Sequence, residues 1–134
     1  MEEEVDAAPG ASGGLNYGWN ITEGNLCFPS STNCNKAGLT LPVFTYDHAP
    51  TGGCAVIGGY VYRGNGIPEL AGRYLYSDSC AGWLRSFFLV GGQATEQVDW
   101  ANPVAGGVLS FGQDAAGELY LLYAGGKVYR VVKQ

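Results

Sequence analysis

A weak internal repeat with a period near 45 residues constrains the fold of this chain more than any other feature. Three pairs of stretches carry it: GGYVYRG (58–64) with GGVLSFG (106–112), GRYLYSD (72–78) with GELYLLY (117–123), and GWLRSF (82–87) with GKVYRV (126–131). The first residues of the paired stretches lie 48, 45 and 44 residues apart. A period of this length, with about four short strands per unit, is typical of β-propeller blades. Because one blade cannot bury both of its faces, neighbouring blades must stack.

The composition favours the same all-β fold. The 134 residues include 22 Gly and 9 Tyr, and only 14% are charged. Glycines between short aromatic and β-branched runs suit tight turns between short strands. Alternating apolar residues and these turns predict eight strands, over residues 41–47, 55–63, 72–78, 82–89, 95–100, 107–112, 117–123 and 126–132.

These strands predict two consecutive four-stranded antiparallel blades, over about 41–100 and 101–134, after an acidic, disulfide-bearing loop segment over 1–40. Within that first segment, residues 1–14 are predicted to be a strand remnant followed by a flexible connection, and residues 15–38 a polar loop. The second blade shows no clear outermost strand. Strand 41–47 is a candidate for that position, either within the chain or from a neighbouring subunit.

The net charge of −5 excludes two classes of partner. The chain has no basic stripe of the kind that binds nucleic acid. Its acidic surface would be repelled by anionic lipid, and no apolar run approaches the ~20 residues that span a bilayer.

Four cysteines, Cys27, Cys34, Cys54 and Cys80, form an even set whose spacing matches no Cys-x-x-Cys zinc pattern. Two disulfides are therefore favoured over a metal site, and they indicate an oxidising, extracytoplasmic compartment. Three connectivities are open, and four free thiols in a cytosolic protein remain the alternative. The favoured pairing is Cys27–Cys34, which closes a short polar loop, with Cys54–Cys80, which joins two strand regions.

Five blocks, in order along the chain, carry a resemblance to a known family: NYGWNITEGNLCF (16–28), PVFTYDH (42–48), GGCAVIGGYVYRG (52–64), PELAGRYLYSDSCAG (68–82) and SFGQDAAGELYLL (110–122). The chain resembles the carboxyl-terminal part of glucose/sorbosone dehydrogenases. The resemblance implies a six-bladed propeller, and in many members aldose oxidation with pyrroloquinoline quinone (PQQ) and calcium. The family also includes hedgehog-interacting proteins, which resemble the enzymes without sharing their catalysis.

The resemblance also implies that the chain alone is not a complete catalyst. In the dehydrogenases the catalytic base is a histidine upstream of the NYGW block. The one histidine here, His48, lies in the PVFTYDH block and does not match that base. A polar residue at a strand end is the expected role of His48, and no catalytic residue is assigned.

Two ligand contacts follow from the resemblance. A calcium ion would be held by Glu4, with Glu3 as competitor, and by the backbone oxygen of Tyr17, with a solvated acidic terminus as the alternative. Arg63 matches a cation that lines the cofactor pocket, where a guanidinium can bind carboxylates bidentately. The alternative for Arg63 is an ion pair at the rim of a blade with Asp78 or Glu69.

Partners are expected because two blades leave apolar flanks exposed. Either the remaining blades of a longer protein cover these flanks, or further copies do, since three copies would form a six-bladed ring. A secreted module that binds protein or glycan without turnover is the alternative function. For a sugar, Trp19, Trp83 and Trp100 are the candidate stacking residues, with filling of gaps between blades as their other role.

Overall fold

A computed structural model describes residues 1–30, 32–101, 104 and 106–133, and in them the chain is an all-β protein, as predicted. The helical elements among these residues are one α-helical turn, α1 (His48–Thr51), and one 3-10 turn (Pro68–Leu70). None of the described helices is long and apolar enough to span a membrane. The strands are β1 (Glu2–Val5), β2 (Thr22–Glu23), β3 (Leu26–Cys27), β4 (Phe44–Asp47), β5 (Val56–Val61), β6 (Tyr74–Asp78), β7 (Leu84–Val90), β8 (Gln93–Trp100), β9 (Val108–Gln113), β10 (Leu119–Tyr123) and β11 (Val128–Arg130).

The chain divides into two compact units, Met1–Thr51 and Gly52–Gln134. In the first unit, β1 pairs antiparallel with β4, and β2 pairs with β3 in a short hairpin. The predicted strand remnant near the amino terminus is therefore confirmed as β1. The prediction of a polar loop over 15–38 is wrong in one part, because this segment contains the hairpin of β2 and β3.

Strand β1 is stable despite its three glutamates because their carboxylates have local partners. Glu2 and Glu4 accept hydrogen bonds from the backbone N–H groups of Asn25 and Gly24, at 2.7 and 2.9 Å. Residues 44–47 of the predicted strand 41–47 form β4, which pairs with β1 in the same unit.

The second unit contains two antiparallel sheets whose strands follow one another in chain order. The first sheet has four strands in the order β5-β6-β7-β8, and the second has three in the order β9-β10-β11. The predicted strands of the two repeats are thus confirmed. The second sheet has three strands among the described residues, where four were expected.

One apolar core lies between these two sheets. The first sheet and its loops contribute Tyr62, Ile67, Leu70, Leu75 and Leu84, and the second sheet contributes Val108, Phe111, Leu119, Leu121 and Tyr123. All ten are buried, so each sheet covers the apolar face of the other.

Two aspartates organise turns in this unit. Asp78, fully buried at the end of β6, accepts four backbone hydrogen bonds, from the N–H groups of Cys54, Ala55, Cys80 and Ala81, at 2.8 to 3.1 Å. Asp114, in the turn between β9 and β10, accepts from the N–H groups of Ala116 and Glu118. Gly117 in the same turn has φ of +81°, which glycine adopts without strain.

Both disulfides form in the pairing favoured from the sequence. Cys27 is bonded to Cys34 in the first unit, and Cys54 to Cys80 in the second. The second bond joins the two segments whose backbone Asp78 also holds. A covalent link and a buried carboxylate thus fix the same end of β5 and β6.

Candidate functional site

Arg63 lies just after β5 with an exposed side chain. It differs from the other three arginines in having no carboxylate partner among the described residues. The other pairs are Arg73 with Glu96, Arg85 with Asp99 and Arg130 with Glu118.

Arg63 forms neither of the ion pairs considered from the sequence, with Asp78 or with Glu69. Glu69 instead pairs with Lys133, with 2.9 Å between Nζ and Oε1. The Asp78 carboxylate accepts the four backbone hydrogen bonds described above. The guanidinium of Arg63 therefore remains available to an anion from outside the described chain.

The backbone on both sides of Arg63 is held by a buried polar network. Tyr62 is fully buried, and its hydroxyl donates to Oε2 of Glu118 at 2.8 Å while accepting from the N–H of Ile67 at 2.9 Å. The other carboxylate oxygen of Glu118 accepts from the N–H of Gly66 at 2.9 Å. This network ties the loop after β5 to the start of β10.

Two glycines show how closely the chain is packed there. A Cβ on Gly64 would lie 2.6 Å from Oε1 of Glu118 and 2.7 Å from the Tyr62 hydroxyl. A Cβ on Gly117 would lie 2.9 Å from the carbonyl of Arg63. The backbone of Arg63 is thus fixed, which lowers the entropic cost of ordering this loop around a ligand, and its side chain has no carboxylate partner within the described residues.

The network also sets the charges around Arg63. The hydrogen bond from Tyr62 is the main cause that lowers the pKa of Glu118, with that from Gly66 next, while burial opposes them. Burial is the main cause that raises the pKa of Tyr62, followed by its hydrogen bond to Glu118. At neutral pH Glu118 is therefore ionised and Tyr62 is a protonated donor.

Glu118→Gln is expected to remove a pH-dependent part of the stability. A carboxyl whose pKa is lowered by folding stabilises the fold above its ordinary value, 4.5, and this contribution is lost as the pH falls through the lowered pKa. The difference in unfolding free energy between wild type and E118Q should be largest at neutral pH and shrink as the pH falls below about 4.5.

Urea unfolding at a series of pH values measures this difference. Tyr62→Phe is the matched variant, because it removes the main cause of the lowered pKa while leaving the carboxylate. The pKa of the carboxyl is then lowered less, so the difference between Y62F and Y62F/E118Q should have a smaller pH-dependent part, and the loss of that part should end at a higher pH. Parallel stability curves for wild type and E118Q would contradict the assignment.

The candidate calcium ligands lie in the first unit. One oxygen of Glu4 accepts from the N–H of Gly24, and burial, with the charge of Asp6 next, raises the pKa of Glu4. Tyr17 is half-buried in the segment between β1 and β2. Calcium takes six to eight oxygens, so these two residues could hold it only with several further ligands.

The described residues bring one trio of potential metal-ligating side chains together, namely Cys54, Asp78 and Cys80. Its cysteines are joined in a disulfide and its carboxylate is occupied by backbone N–H groups, so this trio has a structural role. Glu4 belongs to no such trio within the described part of the chain.

His48 has a local partner, since its Nε2 lies 2.8 Å from Oε1 of Glu3. The three tryptophans have different surroundings. Trp19 is 71% exposed and contacts Phe28, with ring centroids 5.0 Å apart. The ring of Trp83 lies under the guanidinium of Arg85, and Trp100 packs against the core and donates to Ser86.

Sequence reasoning missed Tyr62 and Glu118. A usable signal was present, because Glu118 follows the turn glycine Gly117 just as Arg73 follows Gly72 in the preceding repeat. Both charged side chains are buried. A charged residue between a turn glycine and an apolar strand in both copies of a repeat indicates a buried polar contact.

Comparisons with known proteins find relatives by sequence similarity only. No family model matches the chain, and no solved structure matches it. The HIPL2 protein of Arabidopsis thaliana is 32% identical over 162 aligned residues, and the HIPL1 protein of the same plant is 32% identical over 161. Each alignment covers 98% of this chain and 23% of the relative. Nearly the whole chain is thus similar to one segment of these HIPL proteins. That segment makes up about a quarter of the length of each of them.

Proposed function

We propose that the chain forms two adjacent blades of a six-bladed propeller of the glucose/sorbosone dehydrogenase type. In this proposal it contributes cofactor contacts to a larger dehydrogenase-like protein and is not a complete catalyst by itself. Two consecutive sheets with a shared core and the relationship to HIPL-like proteins support it. The two disulfides are consistent with an extracellular location.

The observation that carries the proposal is the guanidinium of Arg63, which extends from a fixed backbone and has no carboxylate partner in the part of the chain that the structure describes. Such a group fits the carboxylates of PQQ, because a guanidinium can bind a carboxylate through two parallel hydrogen bonds. PQQ, when bound, would be the two-electron acceptor for a sugar. In this proposal the general base comes from outside this chain, and its one histidine, His48, pairs with Glu3.

Arg63→Ala is expected to weaken PQQ binding by about tenfold or more, because a hydrogen-bonded charge contributes about 1.5 to 3 kcal/mol. Titration followed by the absorption spectrum of PQQ measures the affinity. Arg85→Ala is the matched control, because Arg85 already pairs with Asp99 and stacks on Trp83. Equal affinities for wild type, R63A and R85A, or no PQQ binding by any of them, would refute the proposal.

The pairing of His48 with Glu3 favours a second candidate function, that of a secreted propeller module that binds a protein or glycan without turnover. In this alternative, further copies of the chain complete the propeller, and neither PQQ nor calcium is required. Binding of PQQ that depends on Arg63 discriminates the first function from the second. Glu4 and Tyr17 would contribute to a calcium site only in the first.

A further inference from the structure

An asparagine at a surface turn of the first unit has the sequence pattern of a glycan acceptor. Asn20-Ile21-Thr22 matches the pattern Asn-x-Ser/Thr, with a residue other than proline in the middle. No other asparagine in the sequence is followed by serine or threonine at that spacing. Because three-residue patterns also occur by chance, the surroundings of these residues decide whether the pattern is used.

Asn20 is accessible in the folded chain. Trp19 and Asn20 are the central residues of a turn, which the N–H of Ile21 closes by donating to the carbonyl of Gly18. Asn20 is exposed, and its side chain has no hydrogen-bond partner among the residues that the structure describes. A bulky group on its amide nitrogen would therefore extend into solvent and displace no contact of the described chain.

Thr22 has a hydroxyl that the fold does not use. The residue is 2% exposed, and its Oγ1 has no hydrogen-bond partner within the described residues. This atom packs against Gly18, where an added Cβ would overlap it. A buried hydroxyl without a partner destabilises a fold, and valine would fill nearly the same space without that penalty. Packing therefore gives no reason for threonine at this position, whereas the acceptor pattern requires a hydroxyl there.

The turn also lies in an exposed apolar patch. The side chains of Trp19, Ile21 and Phe28 are 71%, 41% and 40% exposed. The rings of Trp19 and Phe28 are in contact, and the N–H of Phe28 donates to the carbonyl of Ile21 at 2.9 Å. Exposed apolar patches promote association. A hydrophilic glycan on Asn20 would cover part of this patch.

We propose that Asn20 carries an N-linked glycan, and that the hydroxyl of Thr22 serves the attachment of this glycan rather than the fold. The donor is an oligosaccharide linked to a lipid diphosphate. A bond forms between the side-chain nitrogen of Asn20 and C1 of the first sugar, while the bond from C1 to the diphosphate oxygen breaks. One proton passes from the nitrogen to the leaving lipid diphosphate, and nothing is oxidised or reduced. Because Thr22 is buried in the fold, the transfer takes place before the chain folds.

Glycan attachment is independent of the proposed function, since it concerns a turn of the first unit and not the binding of a cofactor. It requires passage through a secretory compartment, with which the two disulfides are consistent. A chain that fails to bind PQQ would still carry the glycan, so the two tests can fail separately.

Secretion of the full chain from a eukaryotic cell, behind a secretory leader, tests the proposal. Digestion with a peptide-N-glycosidase should lower the mass of the wild-type protein by that of one glycan, and it should convert the modified Asn20 to aspartate. Mass spectrometry of the intact protein and of the peptide that contains residue 20 measures both changes. The cell lysate is analysed together with the medium, so a variant that is not secreted still gives a result.

Four variants locate the acceptor. Asn20→Gln and Thr22→Val should each abolish the mass change, since the first removes the acceptor nitrogen and the second removes the required hydroxyl. Thr22→Ser keeps the hydroxyl and should retain the glycan. Asn65→Gln is the matched control, because Asn65 is exposed but has no hydroxyl residue two positions later, and it should be modified like wild type.

The unglycosylated proteins test the role assigned to Thr22. Produced in the bacterial periplasm, T22V should unfold at the same urea concentration as wild type or at a higher one. A lower midpoint for T22V would mean that the hydroxyl contributes to the fold and would contradict that role. Wild type without a glycan, or a glycan that persists in N20Q or T22V, would overturn the proposal.

Discussion

Asp78→Ala is expected to lower the free energy of unfolding by roughly 3 to 5 kcal/mol, because each hydrogen bond to a charged group contributes about 1.5 to 3 kcal/mol and water replaces part of the loss. The carboxylate accepts backbone hydrogen bonds from the residues on either side of the Cys54–Cys80 disulfide. No alanine side chain can accept them. Urea unfolding followed by circular dichroism measures the change.

The matched control is Asp99→Ala, which removes an aspartate that pairs with Arg85 and is 72% exposed. It should cost less than about 1 kcal/mol, as exposed ion pairs do. Asp78→Asn should fall between the two variants, because the amide keeps the shape but turns a donor toward two of the N–H groups. If D78A unfolded at the same urea concentration as D99A, Asp78 would not have the structural role assigned to it.

Gly59→Ala is expected to lower the free energy of unfolding by about 3 kcal/mol, the upper part of the range for overpacking. Gly59 lies at the irregularity in β5 where the register with β6 shifts. A Cβ there would overlap the backbone carbonyl oxygen of Leu75 and would lie 3.3 Å from the ring of Phe111 in the second sheet. The methyl group would push β5 away from β6, since a carbonyl held in a sheet cannot rotate aside.

Gly125→Ala is the control for this substitution. Gly125 lies in the connection between β10 and β11, and no atom lies within 4 Å of the position of its added Cβ. This variant should be neutral or slightly stabilising, because alanine restricts the unfolded chain more than glycine does. Thermal unfolding of both variants compares them directly. Equal midpoints for G59A and G125A would show that β5 accommodates the methyl group.

The sequence predicted the strands of the second unit well because their signals are local. Alternating side chains and turn glycines located β5 to β11, with ends that differ by at most two residues. The hairpin of β2 and β3 escaped prediction, because strands of two residues carry no alternation. The pairing of β1 with β4 was also missed, since the partners that stabilise three glutamates become visible only in three dimensions.

The candidate site was predictable only in part. Arg63 was identified through a family resemblance, but its lack of a partner depends on where Glu69 and Asp78 lie in the fold. Glu118 is 56 residues from Tyr62 in sequence, and no local pattern reports a hydrogen bond across that distance. The role of Asp78 also depends on two segments that converge, 54–55 and 80–81, which its own neighbours in sequence do not reveal.

The core shared by the two sheets has a consequence for how this part of the chain folds. The sequence repeats once per sheet, yet a single sheet would expose the apolar face that the other one covers. The Tyr62–Glu118 hydrogen bond also needs both sheets in place. The two repeats therefore fold cooperatively as one unit. During synthesis, the first sheet stays incompletely folded until β10 has been made and has packed against it.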